Sequence, residues 1–328
     1  KKNKQPYIYT HSKLFISISL FVIFVPKNEQ VMYELCCIGH ITLDKIVTPQ
    51  KTAFLPGGTS YYFSYAINKF KDIDYLLVTA VGPTEMKTID NLCNSGIKVK
   101  VLPSRESVYF ENIYGENPDN RTQRVLAKAD PFTTEHLKNI NAHIYHLGTL
   151  LADDFTTDTI KYLSTKGIVS VDSQGYLRKV INTRVYSTDW KDKIEALKYI
   201  HILKANEVEA EALTGYSDVK KAAIQLYEWG VKEVLITLGS QGSVVYDGHS
   251  YYTIPAYIPQ QIVDTTGCGD TYMTGYLYQR AHNTPPEESA RFAAAMSTLK
   301  IGYMGPFNGN KEDVYACMET AQQVFPSI

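Results

Sequence analysis

Two carboxylates beside a glycine turn are the most chemically suggestive feature of this sequence. In IVDTTGCGDTYMTGYLY, residues 262–278, Asp264 and Asp270 bracket Thr-Thr-Gly-Cys-Gly. An apolar run enters the turn, and helix-forming sequence leaves it through Tyr272, Gly275 and Leu277. Gly267 and Gly269 permit a tight turn and close approach of the backbone to a ligand. The amides of residues 267–270 would lie unpaired at the positive end of the helix dipole, a setting that suits an anion. A phosphoryl group in transfer is such an anion, because charge builds up on its oxygens. Asp270 follows that nest directly and is placed to accept the proton of an incoming hydroxyl. An ordinary helix N-cap would use the same residue, so the turn alone leaves catalysis and capping both open.

The elements that must hold this turn read as an α/β fold. From residue 33 onward, short apolar runs alternate with helical patterns. The runs ELCCIG, YLLVTAVG, HIYHLGTLL, IVSVDS, HILKAN and EVLITLG are almost continuously apolar, as expected of a parallel sheet covered on both faces. After Gly58, the residues Phe63, Ala66, Ile67 and Phe70 follow the spacing of a helix face. A second helix is predicted from a cap at Ser217 or Asp218 to a stop at Gly230. SVVYDGHSYYTIPA reads as an edge hairpin turning at Asp247-Gly248. Residues 44–55 and 97–125 alternate apolar and polar side chains with period two, which predicts a small β-sheet that could act as a lid. The expected fold is thus a three-layer sandwich with a mainly parallel central sheet plus a small β-sheet lid.

Composition excludes several functions. The 328-residue chain has a formal net charge of -1 and no basic field for nucleic acid. Its five cysteines include no CxxC pair, which argues against a disulfide framework or a zinc site and for a reducing, cytoplasmic setting. His143 and His146 sit three apart in a predicted strand and would face opposite ways. The run KLFISISLFVIFVP is shorter than the ~20 residues of a spanning helix. It resembles a signal-like segment without a cleavage site. The plainer expectation is that residues 1–31 are an extension ahead of a single α/β domain at 32–328, with no membrane role for that domain.

The motifs then converge. DTTGCGD resembles the C-terminal signature of the PfkB, or ribokinase-like, carbohydrate kinase family, where the usual pattern is D-T-x-G-A-G-D. PGGTSYYFSYAINKF at 56–70 resembles that family's Gly-Gly signature. LKANEVEAEALTG at 203–215 resembles its Asn-x-x-Glu segment. VLITLGSQGSVVYDG at 234–248 resembles its nucleotide-binding strand and turn, and CCIGHITLDKIV resembles its first strand. These occur in family order across about 33–325. The resemblance implies ATP-dependent phosphorylation of a hydroxyl on a small sugar, with inositol or a nucleoside as the next acceptors. It implies Asp270 as base and Gly267, Cys268 and Gly269 as anion hole. Asn206 and Glu209 would organise Mg²⁺ and phosphates through water. Thr237, Gly239 and Gly242 would belong to the nucleotide pocket, and residues 293–306 would flank the adenine. Asp44, Gly57 and Gly58 would bind the small polyhydroxylated acceptor. Asp264 and Thr266 would lie near a monovalent cation such as K⁺. For Glu209 the plain alternative is a solvated helix face.

Departures from the pattern carry expectations of their own. Cys268 replaces alanine, and a thiol at a helix N-terminus is expected to have a lowered pKa. Thr59, Ser60, Tyr61, Tyr62 and Phe63 are bulkier than usual and would narrow the acceptor site. Arg105, Arg121 and Arg124 in the lid could clamp a phosphate on the acceptor. Exposed edges of the lid suit a homodimer. The competing class is a catalytically silent ligand-binding member.

Overall fold

A computed structural model of the chain describes residues 31–115 and 121–326; the expectations for residues 1–30 lie outside them. Nine strands form the main sheet, in the spatial order Tyr251–Ile254, Ser243–Tyr246, Glu233–Thr237, Ile202–Asn206, Ile168–Asp172, Asn141–Gly148, Met32–Gly39, Tyr75–Val81 and Val99–Pro103. The seven strands from Glu233–Thr237 onward run parallel, and the first two add an antiparallel edge hairpin. All seven residues of Tyr75–Val81 are buried, because helices cover both faces. Successive side chains separate accordingly. Cys36 and Ile38 enter the core on one face, whereas Leu35 and Cys37 enter that on the other.

The predicted helix face Phe63, Ala66, Ile67 and Phe70 is buried. The helix Val219–Glu228 starts at Asp218, whose carboxylate accepts from the amides of Lys220 and Lys221. In the edge hairpin, Asp247 accepts from the amides of His249 and Ser250, which sets the turn. His143 is exposed and His146 buried, on opposite faces of one strand. Among the described residues, no helix is long and apolar enough to cross a membrane.

A separate six-stranded sheet has the order Arg178–Ile181, Arg184–Ser187, Arg121–Ala127, Val108–Tyr114, Thr42–Val47 and Thr52–Gly57. Its buried side packs Val108, Phe110 and Val125 on Leu150 and Leu151. Two expectations need correction. Val99–Pro103 pairs with Tyr75–Val81 in the main sheet, so the start of 97–125 lies outside the small one. An edge strand is half-covered and alternates just as a lid strand would. The hairpin 178–187 was not predicted either. It turns through Asn182 and Thr183 at φ 48° and 71°, an arrangement usually signalled by Asn-Gly.

Candidate active site

The chemistry-bearing residues gather where the parallel strands end. Asn206 and Thr237 are register partners on neighbouring strands, and Asp172 closes the strand on the other side of Ile202–Asn206. Ligands of open α/β sheets bind beyond such ends. Into this region comes the turn that starts helix Cys268–Ala281.

Gly267 caps that helix in the left-handed conformation, φ 77°, which strains other residues. A side chain there would also collide with the ring of Tyr62. Thr271 ties the turn down, its amide and hydroxyl donating to the Gly267 carbonyl at 2.9 and 2.8 Å. The Cys268 amide turns back to the Thr265 carbonyl at 3.3 Å. Of the expected set 267–270, the Cys268 amide is thus engaged, while the amides of Gly269 and Asp270 have no intrahelical acceptor. The Cys268 thiol is pushed up to about 12 by burial, which outweighs the opposing influence of Lys300; Asp264 and Asp270 push the same way as burial. The expected reactive thiolate is thus corrected. Helix position favours the anion, but desolvation and two carboxylates win.

Asp270 is half-buried. Burial pushes its carboxyl up to about 6, aided by Asp172 and opposed by Lys204, a hydrogen bond from Thr59, and Arg178. A carboxyl held there still ionises at neutral pH and is a stronger base than a solvated one.

Lys204 was not anticipated. It is buried, donates to Asp172 Oδ2 at 3.1 Å and lies 3.9 Å from Glu209 Oε2. Burial works against its charge, but Asp172 and Glu209 more than offset that and raise its pKa. A Cβ placed on Gly269 would lie 3.3 Å from the Lys204 ammonium, so a fixed positive charge abuts the glycine turn. The signal in the sequence was a lysine inside an otherwise apolar strand, two residues before Asn206.

Asn206 and Glu209 form a reciprocal capping box. The Asn206 amide donates to Glu209 Oε2 at 2.9 Å, and the Glu209 amide donates to Asn206 Oδ1 at 2.8 Å. Glu209 is buried, which corrects the solvated-face alternative. Burial raises its pKa, with Lys204 opposing. Arg178, from the unpredicted hairpin, acts electrostatically on both Asp270 and Glu209. Of the three arginines expected as a clamp, Arg124 is engaged by Glu111 at 3.1 Å, Arg105 is exposed, and the Arg121 side chain lies outside the described ones. Arg178 does reach the site, because its hairpin lines one cleft with Asn206 and Glu209.

Near the start of the helix Thr59–Ile67, Thr42 donates to Asp44 Oδ1 at 2.7 Å, and a side chain on Gly57 would strike the Asp44 carboxylate. Gly58 caps the helix Thr59–Ile67 with φ 89°. Tyr62 feels Asp264, Asp44 and Asp270 together; burial first, then these carboxylates, raises its phenol. The five bulky residues therefore do different work. Phe63 is buried and stacks on His146, Thr59 helps to hold down the Asp270 pKa, and Tyr62 lies against the glycine turn.

On the other side of the glycine turn, a cleft of about 620 Å³ is lined by Thr237, Gly239, Gly242, Cys268 and Gly269. Tyr257, Ile258, Ala294 and Ile301 supply apolar walls, so part of the predicted 293–306 segment borders it. The volume lies in the range of small-molecule sites. Asp264 departs from expectation. Its Oδ2 and carbonyl accept from Lys300 at 3.0 and 2.8 Å, and its Oδ1 from the Thr266 amide at 2.9 Å. This donor set does not fit an exchangeable monovalent cation, because an ammonium already holds its oxygens.

Fold and sequence relatives together place this protein among the enzymes that move a phosphoryl group onto an alcohol. The chain belongs to the pfkB family of carbohydrate kinases, whose pattern matches residues 77–313, and it is an ATP-dependent kinase. It is 29% identical to a cytidine kinase of Thermococcus kodakarensis over 273 residues, 79% of this chain and 93% of that protein. A pyrophosphate-dependent kinase of the ribokinase family, solved with a pyrophosphate analog and myo-inositol, superposes with a TM-score of 0.77 at 28% identity, covering 86% of this chain and 99% of the other. Arabidopsis thaliana ribokinase with ribose and ATP shares the fold, with a TM-score of 0.72 at 20% identity and coverage of 88% and 99%.

Proposed function

We propose that this kinase phosphorylates a hydroxyl of a small sugar, with Asp270 as base and the Gly269 and Asp270 amides, next to Lys204, as the anion hole. Asp44 accepts hydrogen bonds from two neighbouring hydroxyls of the acceptor. Asp270 takes the proton of the hydroxyl that attacks phosphorus. The backbone donors and the Lys204 charge stabilise the oxygens on which charge accumulates. The observation that carries this reading is the placement of Asp270 in the first turn of a helix capped by the left-handed Gly267, with the Lys204 ammonium against Gly269; burial raises the Asp270 carboxyl to about 6. A base must be ionised to act. We therefore expect the acid limb of kcat/KM to show an apparent pKa of about 6, with activity lost below it. A pH profile measured by ADP release tests this, and a limb in the ordinary carboxylate range would overturn it.

Asn206 and Glu209 would hold Mg²⁺ through its water shell. Among the described residues no group of three His, Cys, Asp or Glu is spaced as a metal cage, and magnesium binds readily through water and substrate phosphates. When bound, the ion would neutralise phosphate charge.

The second reading is a nucleoside or inositol acceptor. It is favoured by the face of Tyr62 beside the glycine turn and by the similarity to the cytidine kinase over most of its length. A panel of sugars, inositols and nucleosides, assayed with ATP and with pyrophosphate, separates these readings.

As donor, ATP is favoured by the apolar walls of the 620 Å³ cleft, which pyrophosphate would leave empty. Ala294→Trp should fill the cleft and raise the KM for ATP by about tenfold or more, the effect of losing ~1.4 kcal/mol of binding. An unchanged KM would count against a base in that cleft.

The edge strand Thr52–Gly57 exposes Phe54 and Leu55, an apolar edge suited to a second copy; sedimentation of the full chain reads the dimer directly.

A further inference from the structure

The knot around Asp264 contains an unusual component. Lys300 lies in the last turn of the helix Pro286–Ile301 and is fully enclosed. Its ammonium donates to the Asp264 carbonyl at 2.8 Å and to Asp264 Oδ2 at 3.0 Å. The same Oδ2 accepts from the Gly305 amide at 3.3 Å. The amides of Val263 and Asp264 donate to the Ile301 carbonyl at 2.9 and 3.2 Å. Thus the loop segment at 263–264, the helix end at 300–301 and the loop at 305 are laced about a single positive charge. Three residues further along the chain lies Gly267, which caps the helix bearing Asp270.

A buried ammonium costs several kcal/mol in lost hydration unless paired and hydrogen-bonded. Here both carboxylate and carbonyl oxygens of one residue supply that pairing. These are also the oxygen types that an alkali cation would gather at this turn. We infer that Lys300 is a tethered monovalent cation. It neutralises Asp264 and orders the 264–267 entry to the anion-binding turn from within the chain, so that no exchangeable potassium ion is needed there. Lys300 is a positioning residue; it acts on the transferring group only through the turn. The inference rests on the proposed use of that turn, but the binding and melting measurements below need no turnover and separate the two.

The test compares the full chain in potassium chloride and in tetramethylammonium chloride at equal ionic strength. Wild-type turnover and melting temperature should be the same in both, and ²⁰⁵Tl⁺ NMR should show no bound thallous ion. Lys300→Ala should lose about 100-fold in kcat, the scale expected when reacting groups are displaced by about 1 Å. That variant should bind Tl⁺ and recover part of its turnover with K⁺ or NH₄⁺. Activation of the wild type by K⁺, a K⁺-specific rise in its melting temperature, or Tl⁺ bound to it at this turn would overturn the inference. So would a Lys300→Ala variant with wild-type turnover. If Lys300→Ala does not fold, the three wild-type measurements still decide.

Discussion

Asp270→Asn should lower kcat by about 10³-fold, the middle of the range for a general base, and leave the KM for ATP nearly unchanged. The amide keeps the shape of the carboxyl and can retain the Thr59 contact, so the glycine turn and the donor cleft stay intact. Only the proton acceptor is lost. Initial-rate measurements with both substrates varied check this. Turnover above a tenth of wild type would remove Asp270 from its proposed role. The same substitution should raise stability. The folded carboxyl titrates near 6, above the ordinary carboxylate value of about 4. Between those values the folded chain binds more protons than the unfolded one, so stability falls as pH rises through that window. The penalty is complete above it and absent below it. Asp270→Asn should therefore melt higher than wild type at pH 8, by about 2–4 °C after allowing for partial exposure. The advantage should vanish below about pH 4.

Lys204→Met should cost about 10²–10³-fold in kcat, as for loss of a preorganised charge next to the transferring group. It should also move the acid limb upward, because Lys204 opposes the burial that raises Asp270. A structural role alone would not shift that limb. The variant leaves Asp172 and Glu209 buried without their cation, a loss of about 3–5 kcal/mol for a broken buried pair. Lys204→Met with Asp172→Asn removes both charges of the 3.1 Å pair and should regain much of the stability. If the double variant folds well and also turns over at the wild-type rate, Lys204 has no part in the chemistry.

Much of the scaffold was readable along the chain. Continuous apolar runs such as YLLVTAVG mark strands covered on both faces, and Asp218 and Asp247 announce a helix start and a hairpin turn by local hydrogen bonding. The small sheet was only partly readable. Val99–Pro103 alternates like a lid strand but joins the main sheet, since alternation records half-burial and not the partner. The 178–187 hairpin carried no strong turn signal, and with it Arg178 escaped notice.

For the site, local chemistry was legible and distant chemistry was not. Gly267, Gly269 and Asp270 could be read as a turn and an acid because their relation is set within a few residues of backbone. Nothing local says that Tyr62 lies against Gly267, that Lys204 abuts Gly269, or that Cys268 loses to desolvation what the helix dipole offers. Those outcomes depend on which segments pack together and how much water they exclude. The order of strands and helices, the family pattern and the glycine-acid turn thus follow from the sequence, because short-range sterics and hydrophobic periodicity set them. The raised carboxyl of Asp270, the charge balance around Lys204 and the capture of Asp264 by Lys300 arise only in the folded chain, because electrostatic energies depend on distance and burial between residues far apart in sequence.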